Sequence, residues 1–450
     1  MNRPYLLFIL ASTALVSCTA VGPDYTPPKT PLETSFIGGG GALEEVARDE
    51  WWKRLNDRQM NRLVDRGLTQ NIDIATALQR IKAANTDLRQ TGTAGQFSGG
   101  LDAQAQRNNG NPISGDPSES ATFGANYILD IFGGVRRDAQ RAAAGVEAAK
   151  FDAGTVRLAL VSGVVSNYID ARYFQEALAL TRQNIASLRR TQSLIRAQVE
   201  QGALSELDLA RSAGQLDTAI ADLPPLEAAF EARVFAIATL LAEPAQPLLK
   251  QMIAGAPQPY PRSKGSTGVP ANLLRNRPDV LAAERRLAAA VAGVGVAEAK
   301  LYPSVTLSGS VTAANPSEWS FGPALSLPIL NQGPLRARRD AAIISATTAE
   351  LEWRAQVLAA VEDVQKTQSE FTRKQREVAA LRAAQRSRDR TLQLSRKVFE
   401  LGELNLPDLL DAERFANAAR ISLAAAVRDL AQSWSALMVA TGRGWGDGTF

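Results

Sequence analysis

The sequence predicts a mixed α and β fold in which one unit, made of helix, β-hairpin, long helix, turn and helix, occurs twice. Long alanine-rich stretches place apolar residues three or four positions apart, which is the period of a helix packed along one side. Two shorter regions alternate apolar with polar residues, as strands with one apolar face do. The order of elements then recurs, with a glycine turn at Gly202 in the first copy and at Gly402 in the second.

The composition excludes several classes of function. The chain has 450 residues, of which 45% are hydrophobic and only 6% aromatic, a balance that favours extended helices. It contains no histidine and a single cysteine, Cys18, so imidazole catalysis, histidine ligation of zinc or haem, and an internal disulfide are excluded. The formal net charge of +4 is small and evenly mixed, which does not indicate a nucleic-acid partner. We therefore expect neither an enzyme nor a cofactor.

The N-terminus has the features of a lipoprotein signal. Residues 1–17 combine a positive Arg3 with an apolar stretch too short to remain as a membrane span. They lead into LVSC, which resembles a bacterial lipobox, so Cys18 is predicted to carry covalent lipid; the alternative is an ordinary secretion signal with an unrelated cysteine. Thr19, rather than aspartate, follows Cys18, and in lipoproteins of this type that goes with sorting to the outer membrane. Residues 18–50, rich in proline and glycine, are predicted to form an extended tether.

The first repeat is predicted over residues 51–242. Its strands alternate, with apolar Leu101 and Phe123 between polar neighbours, and its long helix carries an apolar seam typical of coiled-coil packing. Roughly 65 helical residues at 1.5 Å each reach about 100 Å. The predicted segments are an opening helix from Trp51, a hairpin at about 97–131, a long helix at about 135–201, a turn at Gly202, and one helix returning to about Leu241.

The second repeat is predicted over residues 269–441, after a proline-rich connector at 243–268. Asp279 and Arg286 in its first helix correspond to Asp73 and Arg80 in the first repeat. The predicted segments are this opening helix, a hairpin at about 303–330, a long helix at about 334–401, a turn at Gly402, a return helix to about Ala440, and a tail at 442–450.

The four predicted strands raise the question of how their sheet is completed. Strands of about 9–11 residues suit a tilted crossing of a bilayer, and a sheet in lipid must close because its backbone groups have no water to bond. Known barrels need at least about eight strands, so the strands would have to be shared between several copies of the chain. The alternative is two soluble hairpins, each packed on a core. The helices, rich in alanine and poor in aromatic residues, are poor material for a closed bundle core but could surround a wet interior in a ring.

Several sequence motifs, in order along nearly the whole mature chain, resemble those of the TolC-type outer-membrane efflux factors, in the lipidated branch that includes NodT-type proteins. The most specific is the long stretch that starts at Val269. The motifs are VGPDY at Val21, WW at Trp51, NYILDIFGGVRR at Asn126, VPANLLRNRPDVLAAERRLAAAVAGVGVAEAKLYPSVTL at Val269, SFGPALSLPIL at Ser320 and GELNLPDLLDAER at Gly402.

The resemblance implies an assembly and a function. A homotrimer would form one twelve-stranded transmembrane β-barrel in the outer membrane, continued by a periplasmic α-helical barrel, with lipid on Cys18 as anchor. It would act as the passive exit duct of a tripartite efflux pump, carrying drugs or other small molecules. The implied partners are a periplasmic membrane-fusion adaptor, an inner-membrane transporter, often of the resistance-nodulation-division type, and outer-membrane lipid.

The resemblance also assigns roles to the helix turns. The turns at Gly202 and Gly402 would form the adaptor-docking tips, and acidic residues after them would project into a periplasmic aperture. Aligned on the glycines, these are Asp408 and Asp411, with Asp208 in the first repeat. This chain departs from its relatives in two places: Leu404 stands where some of them have a latching arginine, and Arg211 corresponds to Asp411.

The same aspartates also have a plain structural explanation. A helix dipole favours an acid in the first turn by about 0.3–1 kcal/mol, and Asp411 has Arg414 three residues on as a local ion-pair partner. Arg211 is predicted to pair with an aspartate as well. Three copies of Asp408 and Asp411 around one axis would concentrate six carboxylates, which attracts cations and can bind divalent ions. No metal site is certain from the sequence.

Two other functions explain part of these observations. A duct of the same fold could serve an ABC-driven protein secretion system. A structural periplasmic coiled-coil lipoprotein, of a different class, would explain the helices and the lipid but not the four alternating strands.

Overall fold

The computed structural model describes residues 20–28, 36, 46–106, 118–262, 268, 272–314 and 316–446. The chain divides into two compact units. The first, which we call the strand unit, comprises Met1–Pro31, Ala77–Ala153 and Asp279–Val357. The second, which we call the turn unit, comprises Leu32–Thr76, Gly154–Pro278 and Leu358–Phe450.

Two very long helices dominate the secondary structure. The first long helix, Gly134–Glu200, has 67 residues and the second long helix, Gln332–Glu400, has 69. Within the part of the chain that the structure describes, no helix is long and apolar enough to cross a membrane. The other helices are a 3₁₀ turn at Trp51–Leu55, then Arg58–Gln70, Ile72–Gln90, Thr93–Gln96, Glu206–Ala221, Leu223–Leu240, Ala245–Met252, Leu273–Asn276, Pro278–Ala299 and Leu406–Ala440.

The strand unit contains one antiparallel sheet whose strands lie in chain order. They are β1 (Phe97–Gln106), β2 (Ser118–Leu129), β3 (Ser304–Ala313) and β4 (Glu318–Ser326). The two hairpins therefore join into a single sheet through the pairing of β2 with β3. Together with the two long helices, they confirm the predicted fold class.

One face of this sheet is apolar and open. Leu101 pairs with Phe123, Phe123 with Val311, and Val311 with Trp319, so one row crosses all four strands. Each of these four side chains is more than half exposed. On the polar face, the hydroxyls of Thr122 and Thr312 lie 3.0 Å apart across the β2–β3 pair. The alternation seen in the sequence thus corresponds to two chemically different faces.

The seam predicted on the first long helix is buried within the turn unit. Its branched and aromatic side chains recur every three, four or seven residues, as coiled-coil packing requires. The buried seam residues are Val161, Val164, Tyr168, Ala171, Leu178, Ile185, Leu188 and Ile195.

The turn unit has a larger aromatic core than the composition suggested. Trp51, Trp52 and Trp434 are fully buried, and the ring of Trp51 meets those of Trp52 and Trp434 at centroid distances of 5.9 and 5.8 Å. The Tyr168 hydroxyl donates to Asp57 at 2.7 Å beside them. The sequence predicted that these helices are poor material for a closed core, but this unit packs three tryptophans together in its core.

The helix after Gly202 is broken, whereas the sequence analysis expected one continuous helix. It ends at Ala221, and a new helix begins at Leu223 after the single residue Asp222. The new helix has proline in its first turn, and Pro224 and Pro225 have no N–H to continue the hydrogen-bond ladder. The chain therefore restarts the helix rather than extending it.

The predicted connector contains a helix, and the predicted tail makes hydrogen bonds to distant segments. The connector contains the helix Ala245–Met252, and the side chains of Leu248 and Met252 are buried. In the tail, Arg443 donates to the Asp49 carboxylate at 2.6 Å and the Trp445 indole donates to a backbone carbonyl at 2.6 Å. These contacts make both segments part of the turn unit.

Candidate functional site

The turn after the first long helix has the hydrogen bonds of a Schellman motif. The Gly202 N–H donates to the Val199 carbonyl at 2.9 Å, and the Ala203 N–H donates to the Gln198 carbonyl at 2.8 Å. Gly202 has φ +77°, a conformation that other residues adopt only with strain. This glycine is therefore required by the bend itself.

The turn after the second long helix repeats the same geometry. The Gly402 N–H donates to the Phe399 carbonyl at 2.9 Å, the Glu403 N–H donates to the Val398 carbonyl at 3.0 Å, and the φ angle of Gly402 is again +77°. An added Cβ at either turn glycine would meet no atom within 4 Å. Both turns thus present open backbone surface.

An apolar cluster connects the two turns inside the turn unit. Leu204 and Leu404, each two residues beyond its glycine, both pack against it. Leu404 therefore has a packing role. The buried members of the cluster are Ile195, Leu392, Phe399, Leu406, Leu409, Leu410, Ala412 and Ala416.

Asp208 is used to start the helix after the first turn. Ser205 and Asp208 form a capping box, in which the Ser205 hydroxyl accepts from the Asp208 N–H and the Asp208 carboxylate accepts from the Ser205 N–H at 3.2 Å. The Ser205 hydroxyl also donates to the carboxylate at 2.7 Å. This hydroxyl and the backbone N–H hold the pKa of Asp208 below its usual value. Arg211 lies 3.6 Å from the same carboxylate.

Asp408 occupies the matching position after the second turn but has a different environment. Its N–H is capped by the Asn405 side chain at 2.9 Å, so Asn405 does the work that Ser205 does in the first repeat. The Asp408 side chain is exposed, and among the described residues we find no hydrogen bond or ion pair to its carboxylate. The acids that begin the helices after the two turns therefore have different environments: Asp208 is bound in its own cap and Asp408 faces solvent.

Asp411 lies one turn further along the same helix. Its carboxylate accepts from Arg414 at 2.9 Å, and both side chains are more than half exposed. An exposed pair of this kind contributes only about 0.2–1 kcal/mol. Asp411 can therefore exchange this partner for water or another cation at little cost.

Glu413 is a buried acid that the sequence analysis missed. It is only 2% exposed, and its Oε1 accepts from Arg396 at 2.8 Å and from Thr191 at 3.0 Å, with the Ser187 hydroxyl at 3.4 Å. Its Oε2 has no hydrogen-bond partner among the described residues. The carboxylate thus joins both long helices to the return helix Leu406–Ala440, close to the two turns.

The sequence contained one signal for Glu413. Leu406, Leu409, Leu410 and Ala416 form the buried stripe of their helix, and Glu413 falls on it at helical spacing. A carboxylate on such a stripe needs partners from elsewhere. Which residues supply them could not be read from the local sequence.

Two other predictions of the sequence analysis concern lipid and metal. Cys18, the predicted lipidation site, lies outside the described residues. Within the described ranges, no group of three or more His, Cys, Asp or Glu side chains is placed to hold a metal ion.

Comparison with known proteins adds independent evidence. The model of the family described as outer membrane efflux protein matches residues 63–243 and 269–443. Nodulation protein T of Rhizobium leguminosarum bv. trifolii is 36% identical over 455 residues, which cover 96% of each chain. The pyoverdine export outer membrane protein OpmQ of Pseudomonas putida is 30% identical over 470 residues, covering 98% of this chain and 97% of that protein.

The fold leads to the same group of proteins. The solved structure of the outer-membrane channel OprN superposes with a TM-score of 0.85 at 28% identity, covering 94% of this chain and 99% of that one. The family match covers both repeats, and the likeness to OprN extends over nearly the whole chain. The chain therefore belongs to the outer membrane efflux protein family.

Proposed function

We propose that this protein is a homotrimeric exit duct of the outer membrane that passively conducts small molecules out of the cell in a tripartite efflux system. The observation that carries the proposal is the sheet, which exposes an apolar row across all four strands. Its order leaves β1 and β4 with one neighbour each among the described strands. A sheet in lipid must satisfy its edges, and three copies supply twelve strands, enough to close.

The relatives support a small-molecule cargo. OpmQ is named for export of pyoverdine, and the family model is that of efflux proteins. A channel fold without a chemical step needs no cofactor, and the lipid we propose on Cys18 serves as an anchor. A periplasmic adaptor and an inner-membrane transporter, of the resistance-nodulation-division type, would deliver the cargo.

We assign the aperture to Asp408 and Asp411. Both side chains are exposed, and among the described residues Asp411 is held only by an exposed pair with Arg414. In a trimer, six such carboxylates would surround one axis and attract cations. Asp208 is bound in its capping box and its side chain is only 18% exposed, so it contributes less to this field.

Single-channel recording in planar bilayers tests the duct and its aperture together. The wild-type trimer should conduct and prefer cations, and the double variant Asp408→Ala/Asp411→Ala should lose most of that preference. Asp208→Asn is the matched control and should keep it. Cation selectivity that is unchanged in the double variant would refute the assignment of the aperture. A purified monomer without conductance would refute the duct and favour the structural lipoprotein.

We assign adaptor docking to the turns at Gly202 and Gly402. A side chain at either position would point into open space, where a bulky one should block a partner, and it would also strain the turn because of the positive φ. Asparagine tolerates positive φ, so Gly402→Asn should retain trimers and most efflux, whereas Gly402→Tyr should retain trimers and lose efflux. Trimers are measured by mass in detergent and efflux by drug accumulation in cells. Loss of trimers in both variants would instead assign the glycine a folding role.

A secretion duct for proteins shares this fold and is the second candidate. The two are separated by complementing strains that lack either an efflux duct or a secretion duct. Restoration of protein secretion, without restored drug resistance, would overturn the assignment to small molecules.

A further inference from the structure

The segment just after Cys18 is bound by a buried arginine. Arg137, in the first turn of the first long helix, is only 3% exposed. Its Nε donates to the Val21 carbonyl at 3.0 Å, and its Nη2 donates to the carbonyls of Ala20 at 3.4 Å and Gly22 at 3.0 Å. One guanidinium thus binds three successive backbone carbonyls. Such a fork is specific to arginine, because lysine has no planar set of donors.

Further contacts extend along the same segment. The Asp24 carboxylate lies 2.8 Å from Arg137, and the Val21 N–H donates to the Phe132 carbonyl at 3.0 Å. The Tyr25 hydroxyl donates to Glu284 at 3.0 Å. Glu284 belongs to the opening helix of the second repeat, so the segment is bound by residues from both repeats of the strand unit.

Three glycines make room for this contact. At Gly22, with φ +82°, a Cβ would lie 2.5 Å from the Cα of Gly295. At Gly133, with φ +77°, a Cβ would lie 2.3 Å from the Ala20 Cβ, and at Gly295 a Cβ would lie 2.7 Å from Arg137. Distances below 3.0 Å cannot be accommodated without movement of backbone or of the clamping arginine. The close approach therefore depends on glycines both in the N-terminal segment and in the surface that it contacts.

We propose that these residues form an intramolecular binding site for the N-terminal segment and that Arg137 is the positioning residue that holds the lipid anchor at one place on the strand unit. In the sequence, Cys18 precedes Ala20 by two residues, so a lipid on Cys18 would be joined to the bound segment by a short stretch of chain. Phe132, which binds Val21, stands between the end of β2 at Leu129 and the start of the first long helix. The acyl chains therefore enter the membrane beside the end of the sheet, instead of at the end of a free tether. This inference rests on the proposed lipidation of Cys18.

The experiment cuts the chain after the bound segment and asks whether the segment stays. A site-specific protease sequence is inserted after Lys29, and the full chain is purified as the trimer and immobilised through a C-terminal tag. After cleavage, the resin is washed with fresh detergent micelles, which would extract a peptide held only by its lipid. Mass spectrometry then measures peptide 18–29 on the resin and in the wash, and its mass reports lipidation separately.

We expect the peptide to remain bound to the wild-type trimer. Its release from the Arg137→Ala trimer should be at least about tenfold faster than from the wild type, because the charge-assisted bonds to three carbonyls are lost. Arg137→Lys should behave like Arg137→Ala. Gly22→Ala should also release the peptide. Because this change lies in the peptide itself, release in this variant cannot be explained by misfolding of the rest of the strand unit. Arg141→Ala, one turn further along the helix, is the matched control and should retain it.

Two results would overturn the inference: release of the wild-type peptide as fast as that of Arg137→Ala, or retention in every variant. An unlipidated peptide that stays bound would refute the lipid on Cys18 and leave the binding site intact. Conductance of the uncut trimer is recorded in parallel, so failure of the duct is a separate outcome.

Discussion

Glu413 gives the sharpest test of how the two turns are held in position. We expect Glu413→Ala to loosen the region around Gly202 and Gly402, because the carboxylate is the shared acceptor of groups on both long helices. In its absence, Thr191 keeps a buried hydroxyl without its acceptor, and Arg396 is left with the Ser187 hydroxyl and water as partners.

The magnitude follows from burial. Leaving a buried polar group unpaired costs about 1–3 kcal/mol, which applies to Thr191. The Arg396 side chain is 37% exposed, so the free energy lost with the Arg396–Glu413 ion pair is close to that of a surface pair, roughly 0–1 kcal/mol. With a cavity left by the removed side chain, the local free energy of opening should fall by about 2–4 kcal/mol. A change of about 3 kcal/mol is roughly 100-fold in the opening equilibrium.

Amide hydrogen exchange of the intact trimer measures this directly. Protection of the residues next to both turns should fall roughly 100-fold in Glu413→Ala. Glu413→Gln, which keeps an acceptor oxygen but loses the charge, should lower protection only about fivefold. Glu400→Ala, an exposed acid near Arg396, is the control and should leave exchange unchanged. Equal exchange in Glu413→Ala and Glu400→Ala would refute the role of the buried carboxylate.

Two further predictions concern the helix start and the C-terminal contact. Because the folded pKa of Asp208 is lowered, its stabilisation of the helix start is complete above its unfolded pKa of about 4 and is lost as the pH falls through the folded value. Amide exchange in the first turn of the helix Glu206–Ala221, corrected for its intrinsic pH dependence, should show this loss of protection at low pH. The pH-dependent loss should be smaller in Ser205→Ala, and identical pH profiles for the wild type and Ser205→Ala would contradict the capping box. Trp445→Phe removes the indole bond to the Asn276 carbonyl and should speed exchange of the C-terminal residues roughly tenfold. Trp319→Phe, on the exposed face of the sheet, is the control and should not change exchange of the C-terminal residues. Equal effects of Trp445→Phe and Trp319→Phe would refute a stabilising role for the bond between Trp445 and Asn276.

Features governed by local stereochemistry could be predicted from the sequence. The turns at Gly202 and Gly402 follow from the need for positive φ after a helix, and both are observed. The strands follow from alternation, because successive side chains point to opposite faces. The same local logic failed at Asp222, where the effect of the two prolines that follow was overlooked.

Contacts between distant segments could not be predicted in this way. Arg137 and Val21 are 116 positions apart, and Thr191 and Glu413 are 222 apart. Local periodicity carries no information about which surfaces meet at such separations. The family motifs included VGPDY and FGGVRR, but only the structure showed that they bind each other.

The sequence by itself determined the duplicated order of elements, the two faces of the strands and the position of both turns, because each depends on side-chain spacing or on one residue's backbone freedom. Only the structure showed what each acid does. Asp208 and Asp408 occupy equivalent positions, yet a serine in one cap and an asparagine in the other leave one carboxylate bound and the other facing water. Glu413 became a buried link between three helices, since hydrogen-bond partners for a buried charge come from whatever the fold brings within reach.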